Sequence, residues 1–211
     1  MPRPKIGILD YGMGNLFSLT NALNYVTDLE IKLCSNFRQL NKVEIIIIPG
    51  VGAFREAMEN IRNNNLLNSL NKNALIKKKP TLGICLGMQM LFDYSLEGGK
   101  TSGLGWIPGK VELIETQKNL TVPHVGWNEL KLLKKSTLFN YDFVDQSYYF
   151  VHSFYAKCPK KYQIASVNYG IDLTAVVQKE NIIGIQCHPE KSQKNGLNFL
   201  KNFLNWAENK C

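Results

Sequence analysis

Apolar positions in the first half of this chain switch repeatedly between two patterns. Ile6-Gly7-Ile8-Leu9 is an uninterrupted run, as expected of a strand buried on both faces. After the turn signal Asp10-Tyr11-Gly12-Met13-Gly14, Leu16, Leu19, Leu23 and Val26 fall at the spacing of one helix face. Glu30 to Cys34 reads as a second strand, and Glu44-Ile45-Ile46-Ile47-Ile48 as a third, fully buried one. Helical spacing returns over Ala53 to Ile61 and Leu66 to Ile76. The apolar run from Pro80 to Ile84 is then a strand, and Met88, Met90, Leu91 and Tyr94 continue as a helix. Strands alternating with helices predict a parallel sheet covered on both faces.

The second half changes character. Val111 to Ile114, Tyr148 to Val151, Ile164 to Asn168, Thr174 to Gln178 and Ile182 to Gln186 read as short strands separated by turns. They are expected to extend the same sheet in mixed or antiparallel fashion. Leu197, Leu200, Phe203, Leu204 and Trp206 make a closing helix. No Pro/Gly/Ser linker and no repeat interrupts the pattern. Residues 1–211 are therefore expected to form one α/β domain, a mainly parallel central sheet with helices on both faces and a mixed or antiparallel extension. A length of 211 residues agrees, being ample for one such domain and short for two.

Composition narrows the function classes. Hydrophobic residues make up 45% and charged residues 20%, a globular balance that argues against disorder. The net charge of +8 invites an anionic partner, but the lysines are scattered in small groups beside turns (Lys77-Lys78-Lys79, Lys134-Lys135, Lys160-Lys161) without interleaved aromatics. Solvated surface accounts for them better than a nucleic-acid site. The five cysteines (Cys34, Cys85, Cys158, Cys187, Cys211) are odd in number and widely spaced, unlike a disulfide framework or a zinc ribbon. Met1 to Lys5 is short, carries two prolines and does not read as a signal peptide. No apolar run is long enough to span a bilayer. A reduced cytoplasmic compartment is expected, with no metal, no cofactor and no membrane partner.

One segment carries chemistry. Gly83-Ile84-Cys85-Leu86-Gly87 places a thiol where a strand turns sharply into a helix. Glycines two residues to either side leave room for such an elbow. Unpaired N–H groups at the start of a helix favour a thiolate. A buried cysteine in a tight turn gives the same local pattern, so the rest of the chain has to decide. His188 follows the apolar strand Ile182 to Gln186, at the strand end where parallel sheets place their reactive groups. Glu190 lies two residues on, and Pro189 between them favours an extended backbone, so both side chains project the same way. Cys85, His188 and Glu190 thus qualify as nucleophile, base and orienter. Pro49-Gly50-Val51-Gly52-Ala53-Phe54, after the isoleucine strand, leaves backbone N–H groups unobstructed. The N–H groups of Gly52 and Leu86 are candidates for an oxyanion hole. Gly12-Met13-Gly14 lacks the third glycine of a dinucleotide fingerprint, where Phe17 stands. Cys187-His188 has no partner spacing for a metal.

These segments, together with Asp10-Tyr11-Gly12-Met13-Gly14-Asn15-Leu16, Pro123-His124-Val125-Gly126-Trp127-Asn128, Tyr149-Phe150-Val151-His152-Ser153-Phe154 and His188-Pro189-Glu190-Lys191-Ser192, run the length of the chain in order. They resemble the class I (triad-type) glutamine amidotransferases, and most closely the glutaminase subunits of imidazole glycerol phosphate synthases. The resemblance implies that Cys85 attacks the carboxamide of L-glutamine, that His188 moves the proton and that Glu190 orients it. It further implies that Gln89, Glu97, Ser153 and Phe154 bind glutamine, Phe154 standing where the family more usually has tyrosine. Asn15, Trp127, Asn128 and Lys191 match segments that face a (β/α)8 cyclase subunit in a heterodimer, through which ammonia passes. His124 and His152 are expected to be structural or interface residues. A paralogous subunit supplying ammonia for surface-sugar amidination would carry the same motifs. A partner-independent cysteine hydrolase and a non-catalytic scaffold are the remaining alternatives.

Overall fold

The computed structural model describes residues 3–115, 120–136, 138–139 and 147–211. Met1 and Pro2, which entered the signal-peptide argument, lie outside them. In chain order the strands are β1 (Ile6–Leu9), β2 (Ile31–Cys34), β3 (Ile45–Ile48), β4 (Thr81–Ile84), β5 (Phe92–Ser95), β6 (Thr101–Ser102) and β7 (Ile107–Leu113). There follow β8 (His124–Leu132), β9 (Ser147–His152), β10 (Phe154–Lys157), β11 (Gln163–Tyr169), β12 (Ile171–Lys179) and β13 (Ile182–Ile185). The helices are α1 (Leu16–Val26), α2 (Phe37–Leu40), α3 (Phe54–Asn63), α4 (Leu67–Asn71), α5 (Leu86–Gln89) and α6 (Gln193–Glu208).

The main sheet has nine strands in the order β2-β1-β3-β4-β13-β12-β11-β8-β9. The first five are parallel and the last four extend it antiparallel. β1, β3, β4 and β13 are buried along their whole length. Four consecutive isoleucines suit β3 because alternate side chains feed two different layers. Ile45 and Ile47 pack with Leu19 and Leu23 of α1 and Phe199 and Phe203 of α6. Ile46 and Ile48 pack on the opposite side with Phe54, Met58 and Ile61 of α3. Truncating any of them to alanine removes about 2–5 kcal/mol.

Two expectations are corrected, and a third, the helix over Leu66 to Ile76, holds with a change of helix type. The helix anticipated through Tyr94 ends at Gln89, and Tyr94 lies in β5. The carbonyls of Met90, Leu91 and Phe92 accept from Leu104, Trp106 and Gly105 instead, so long-range pairing overrides the local spacing. Val111 to Ile114 does not extend the main sheet. It overlaps β7, which belongs to a separate four-stranded sheet in the order β10-β7-β5-β6. This sheet adds Phe92, Ile107 and Val111 to the α3 side of the core. Leu66 to Ile76 divides into α4 and a π-helical turn over Lys72–Ile76, closed by Lys77 N–H on the Lys72 carbonyl at 2.9 Å. Buried Asn73 in this turn donates to Asn41 Oδ1 and the Ser69 carbonyl, each at 2.8 Å. Among the described residues no helix is long and apolar enough to cross a membrane.

Candidate active site

β4 runs directly into α5 through Cys85, which holds φ 53° and ψ −111°. A side chain at such a backbone angle stores about 1–3 kcal/mol of strain, so the surroundings must impose it. They do so from both ends. Cys85 N–H donates to the Ile185 carbonyl at 2.8 Å, and the Cys85 carbonyl accepts from Gln89 N–H at 3.1 Å. Glycine is required beside it: a Cβ on Gly87 would sit 1.8 Å from the Ile48 carbonyl oxygen. The thiol therefore emerges at the first turn of α5, beside backbone N–H groups that have no intrahelical acceptor.

β13 lies next to β4 in parallel register, Gly184 opposite Gly83. Just beyond its end, His188 N–H bonds the Tyr149 carbonyl of β9 at 2.9 Å, and the His188 carbonyl accepts from Ser192 Oγ at 2.6 Å. The backbone of His188 is thus fixed from two directions. Its Nδ1 lies 2.7 Å from Glu190 Oε1, with the two side chains only 2% and 5% exposed. Burial alone would lower the imidazole pKa. The adjoining Cys85 sulfur and the Glu190 carboxylate outweigh it and push the pKa up to about 10. Among the described residues Nε2 has no protein hydrogen-bond partner within bonding distance, and it is left for a reacting group.

Cys85 and His188 open onto a cavity of about 440 Å³. Gly52 and Leu86 line it, and so do Gln89, Glu97, Ser153 and Phe154. Glu190 stands behind His188, away from this space. Gly52 takes φ 96°, a conformation open to glycine and strained for other residues. The loop before it is tied by the buried Tyr11 hydroxyl, which donates to the Pro49 carbonyl at 2.8 Å. Glu97 also has a structural bond, its Oε2 accepting from Phe54 N–H at 2.9 Å. It thereby caps α3, whose own N-cap residue Ala53 offers no side-chain acceptor.

The four remaining candidates lie outside the cavity. Asn15 caps α1 by accepting from Ser18 N–H at 3.1 Å and lines a small recess beside Glu190. Trp127, 46% exposed, meets Tyr149 edge-on at 6.0 Å between ring centroids. Lys191 Nζ stands 5.8 Å from the same Tyr149 ring, and the Asn128 amide faces His124.

Sequence reasoning missed two residues here. Gln186 is fully buried and points Nε2 at Cys85 Sγ, 3.7 Å away, while its Oε1 accepts from Gln89 Nε2 at 3.1 Å. The available signal was an amide closing an otherwise apolar strand two residues before His188, on the same face. His152, expected to be structural or an interface residue, forms part of the cavity wall. Among the described residues no three His, Cys, Asp or Glu side chains converge as metal ligands would.

Such a site can add a thiolate to a carbonyl, donate a proton to the departing group and activate water afterwards. Residues 8–206 match the family described as glutamine amidotransferase class-I. The chain is 48% identical to imidazole glycerol phosphate synthase subunit HisH 2 of Vibrio vulnificus, over 97% of this chain and 95% of that one. It is 42% identical to subunit HisH 1 of Campylobacter jejuni, over 94% of this chain and 98% of the other. Among solved structures, PurLQS from Thermotoga maritima superimposes with a TM-score of 0.73 at 18% identity, covering 97% of this chain and 99% of its own. That level of identity speaks to the fold alone.

Proposed function

The chain belongs to the class-I glutamine amidotransferase family, and from that premise we propose that it is the glutaminase subunit of an imidazole glycerol phosphate synthase. It hydrolyses L-glutamine to glutamate and ammonia and delivers the ammonia to a (β/α)8 cyclase subunit in a cytoplasmic heterodimer. The observation that carries the chemistry is the facing of Cys85 and a Glu190-held His188 across one cavity. Near full-length identity to the HisH subunits supports the pathway.

In this reading Cys85 Sγ attacks the side-chain amide carbon of glutamine. The oxygen gains charge and is held by the N–H groups of Gly52 and Leu86. His188 Nε2 gives its proton to the amide nitrogen, the C–N bond breaks, and ammonia leaves behind a γ-glutamyl thioester. Neutral His188 then takes a proton from water, hydroxide adds to the thioester carbon, and sulfur departs as glutamate forms. Glu190 holds the Nδ1 proton throughout, keeping Nε2 toward the reaction. Gln89, Glu97 and the Ser153–Phe154 backbone bind the amino acid. Ammonia is largely protonated in neutral water and then no longer nucleophilic, which favours transfer within a complex. Asn15, Trp127, Asn128 and Lys191 form the face that receives the cyclase.

The test is purification with the native barrel subunit and assay of imidazole glycerol phosphate formation from glutamine and the ribulosyl-formimino ribonucleotide. Product formation that depends on Cys85 supports the reading. Ammonia release without that product favours a paralogous role in surface-sugar amidination, and no reaction with glutamine at all sinks the glutaminase reading.

A further inference from the structure

The glutamine-cleaving chemistry uses one of the three histidines, and the other two are bonded to each other. His124 on β8 and His152 on β9 are direct cross-strand partners, both buried, with His124 Nδ1 3.0 Å from His152 Nε2. Each ring's second nitrogen is also engaged. His152 Nδ1 lies 2.9 Å from the Phe154 carbonyl oxygen, and His124 Nε2 lies 2.8 Å from the Asn128 amide nitrogen. In a regular strand residues four apart are about 13 Å apart. Gly126, at φ 139°, lies between them, and the Asn128 side chain reaches back to His124.

The carbonyl at one end dictates the direction of every bond. Phe154 O can only accept, so His152 Nδ1 carries the proton and, in the neutral ring, Nε2 accepts. His124 Nδ1 must then donate, which leaves its Nε2 as an acceptor, and it is the donor end of the Asn128 amide that faces it. Both rings are thereby held as the Nδ1–H tautomer. Burial pushes both pKa values down to about 4, His152 being further disfavoured by His124 and His188. A second proton on His152 would also set N–H against N–H across the 3.0 Å contact, and one on His124 would do the same against the Asn128 amide at 2.8 Å. His124 is fixed in addition by stacking against Tyr169 and Phe150, at 4.1 and 4.9 Å between centroids.

Beyond Phe154 the bonds continue to the nucleophile. The same carbonyl accepts from Gln89 Nε2 at 2.9 Å, and Gln89 Nε2 also donates to Gln186 Oε1, whose Nε2 faces Cys85 Sγ. Both amide protons of Gln89 are committed in this way, so its oxygen is the end left to meet a ligand.

We propose that His152 and His124 are positioning residues for glutamine cleavage, a tautomer-locked pair that sets the Phe154 carbonyl and, through it, the Gln89 amide of the cavity wall and the Gln186 amide bonded to it. The polarity that the Phe154 carbonyl dictates is matched at the other end by the Asn128 amide, beside exposed Trp127. This rests on the glutaminase reading and adds to it a physical connection between the Trp127–Asn128 face and the glutamine site.

The near-isosteric Asn128→Asp tests it, because a carboxylate accepts where the amide donated. His124 Nε2 then needs a proton, which the pair supplies only by reversing both tautomers, against the Phe154 carbonyl, or by taking up charge. The full chain labelled with ¹⁵N-histidine has three rings to observe, and long-range ¹H–¹⁵N spectra report the tautomer of each. Two neutral Nδ1–H rings at pH 7 are expected in the wild type, and loss of that signature in Asn128→Asp. Alkylation of Cys85 by a diazoketone analogue of glutamine gives the functional readout on the chain alone, where partner contacts do not enter. Half-saturation is expected to rise about tenfold in Asn128→Asp and His152→Leu, as for one lost hydrogen bond at a buried carbonyl. The limiting rate is expected to change less than about twofold, and His152→Asn, which keeps a donor at the Nδ1 position, to recover most of the affinity. An Nε2–H ring at His124 or His152 in the wild type, or unchanged half-saturation in both variants, overturns the relay alone. A wild type that no glutamine analogue labels, either alone or with the barrel subunit present, overturns the glutaminase reading and the relay with it.

Discussion

His188 Nδ1 and Glu190 Oε1 lie 2.7 Å apart with both side chains almost wholly removed from water. Among the described residues Glu190 Oε2 has no hydrogen-bond partner, so the carboxylate's ion pair is with the imidazole. A buried pair of this kind is costly to break, because the surviving partner is left unpaired in a low-dielectric site. Its value to the protein is directional: the bond fixes which ring nitrogen faces Cys85.

Glu190→Gln tests that directional role. Glutamine keeps the shape and can accept from Nδ1–H, but it carries no charge to balance an imidazolium. Turnover of glutamine is expected to fall about 10²–10⁴-fold with KM changed far less, as when the orienting carboxylate of a triad is neutralised. Steady-state kinetics in the presence of the barrel subunit measure both parameters. A loss smaller than tenfold would show that His188 does not depend on the carboxylate.

His188, held between the Cys85 sulfur and the Glu190 carboxylate, makes stability depend on pH. The folded-state pKa of His188, about 10, lies above the value near 6.5 of an unfolded histidine. The native state therefore holds the proton more tightly than the unfolded state. This contribution is fully present below about pH 6.5 and is lost as pH rises toward 10. Urea midpoints of the wild type are expected to fall from pH 7 to pH 10, and those of His188→Gln to fall less. Parallel profiles for the two proteins would remove His188 as the source.

How much of this was legible in the chain follows from the kind of signal each element carries. The Ile45–Ile48 run and the Cys85 elbow announce themselves through local pattern, and the structure has β3 and the β4–α5 turn where they fall. β8 carries Gly126, Trp127 and Asn128 with few buried positions, so no apolar period marked it. The second sheet was hidden because its pairing joins segments distant in sequence, and the same pairing overrode the helical spacing around Tyr94. Gln186 and His152 are polar residues whose role depends on what lies across the fold. Only the placement of β13, β9 and α5 brings Gln186 to Cys85 and His152 to the cavity.

Tyr11→Phe isolates the loop that carries Gly52. The hydroxyl is buried and donates to the Pro49 carbonyl, and a Cβ at Gly50 would fall 2.6 Å from the same oxygen, so the loop is packed directly on this ring. Removing the hydroxyl leaves a buried carbonyl unsatisfied, at about 1–3 kcal/mol. Chemical denaturation is expected to register that loss. If the Gly52 N–H stabilises the oxyanion, kcat is expected to fall about tenfold or more while KM holds, since the interaction is made in the transition state. A variant destabilised as expected but with unaltered kcat would separate the loop from the chemistry.

Glu97 has two claims on it, and one substitution separates them. As the cap of α3 it needs only an oxygen to accept from Phe54 N–H, and Glu97→Gln supplies one, surrendering the helix-dipole attraction of about 0.3–1 kcal/mol. As a ligand of the amino acid it needs its negative charge, to pair with the α-ammonium group. Glu97→Gln is therefore expected to unfold within about 1 kcal/mol of the wild type while KM for glutamine rises about tenfold, the equivalent of one charge-assisted bond. Glu97→Ala is expected to add the loss of the cap, about 0.5–2 kcal/mol. Because α3 begins two residues after Gly52, that second loss reaches the loop as well, so kcat is expected to fall in Glu97→Ala but not in Glu97→Gln. A Glu97→Gln variant with wild-type KM would leave the residue as a helix cap that happens to face the cavity.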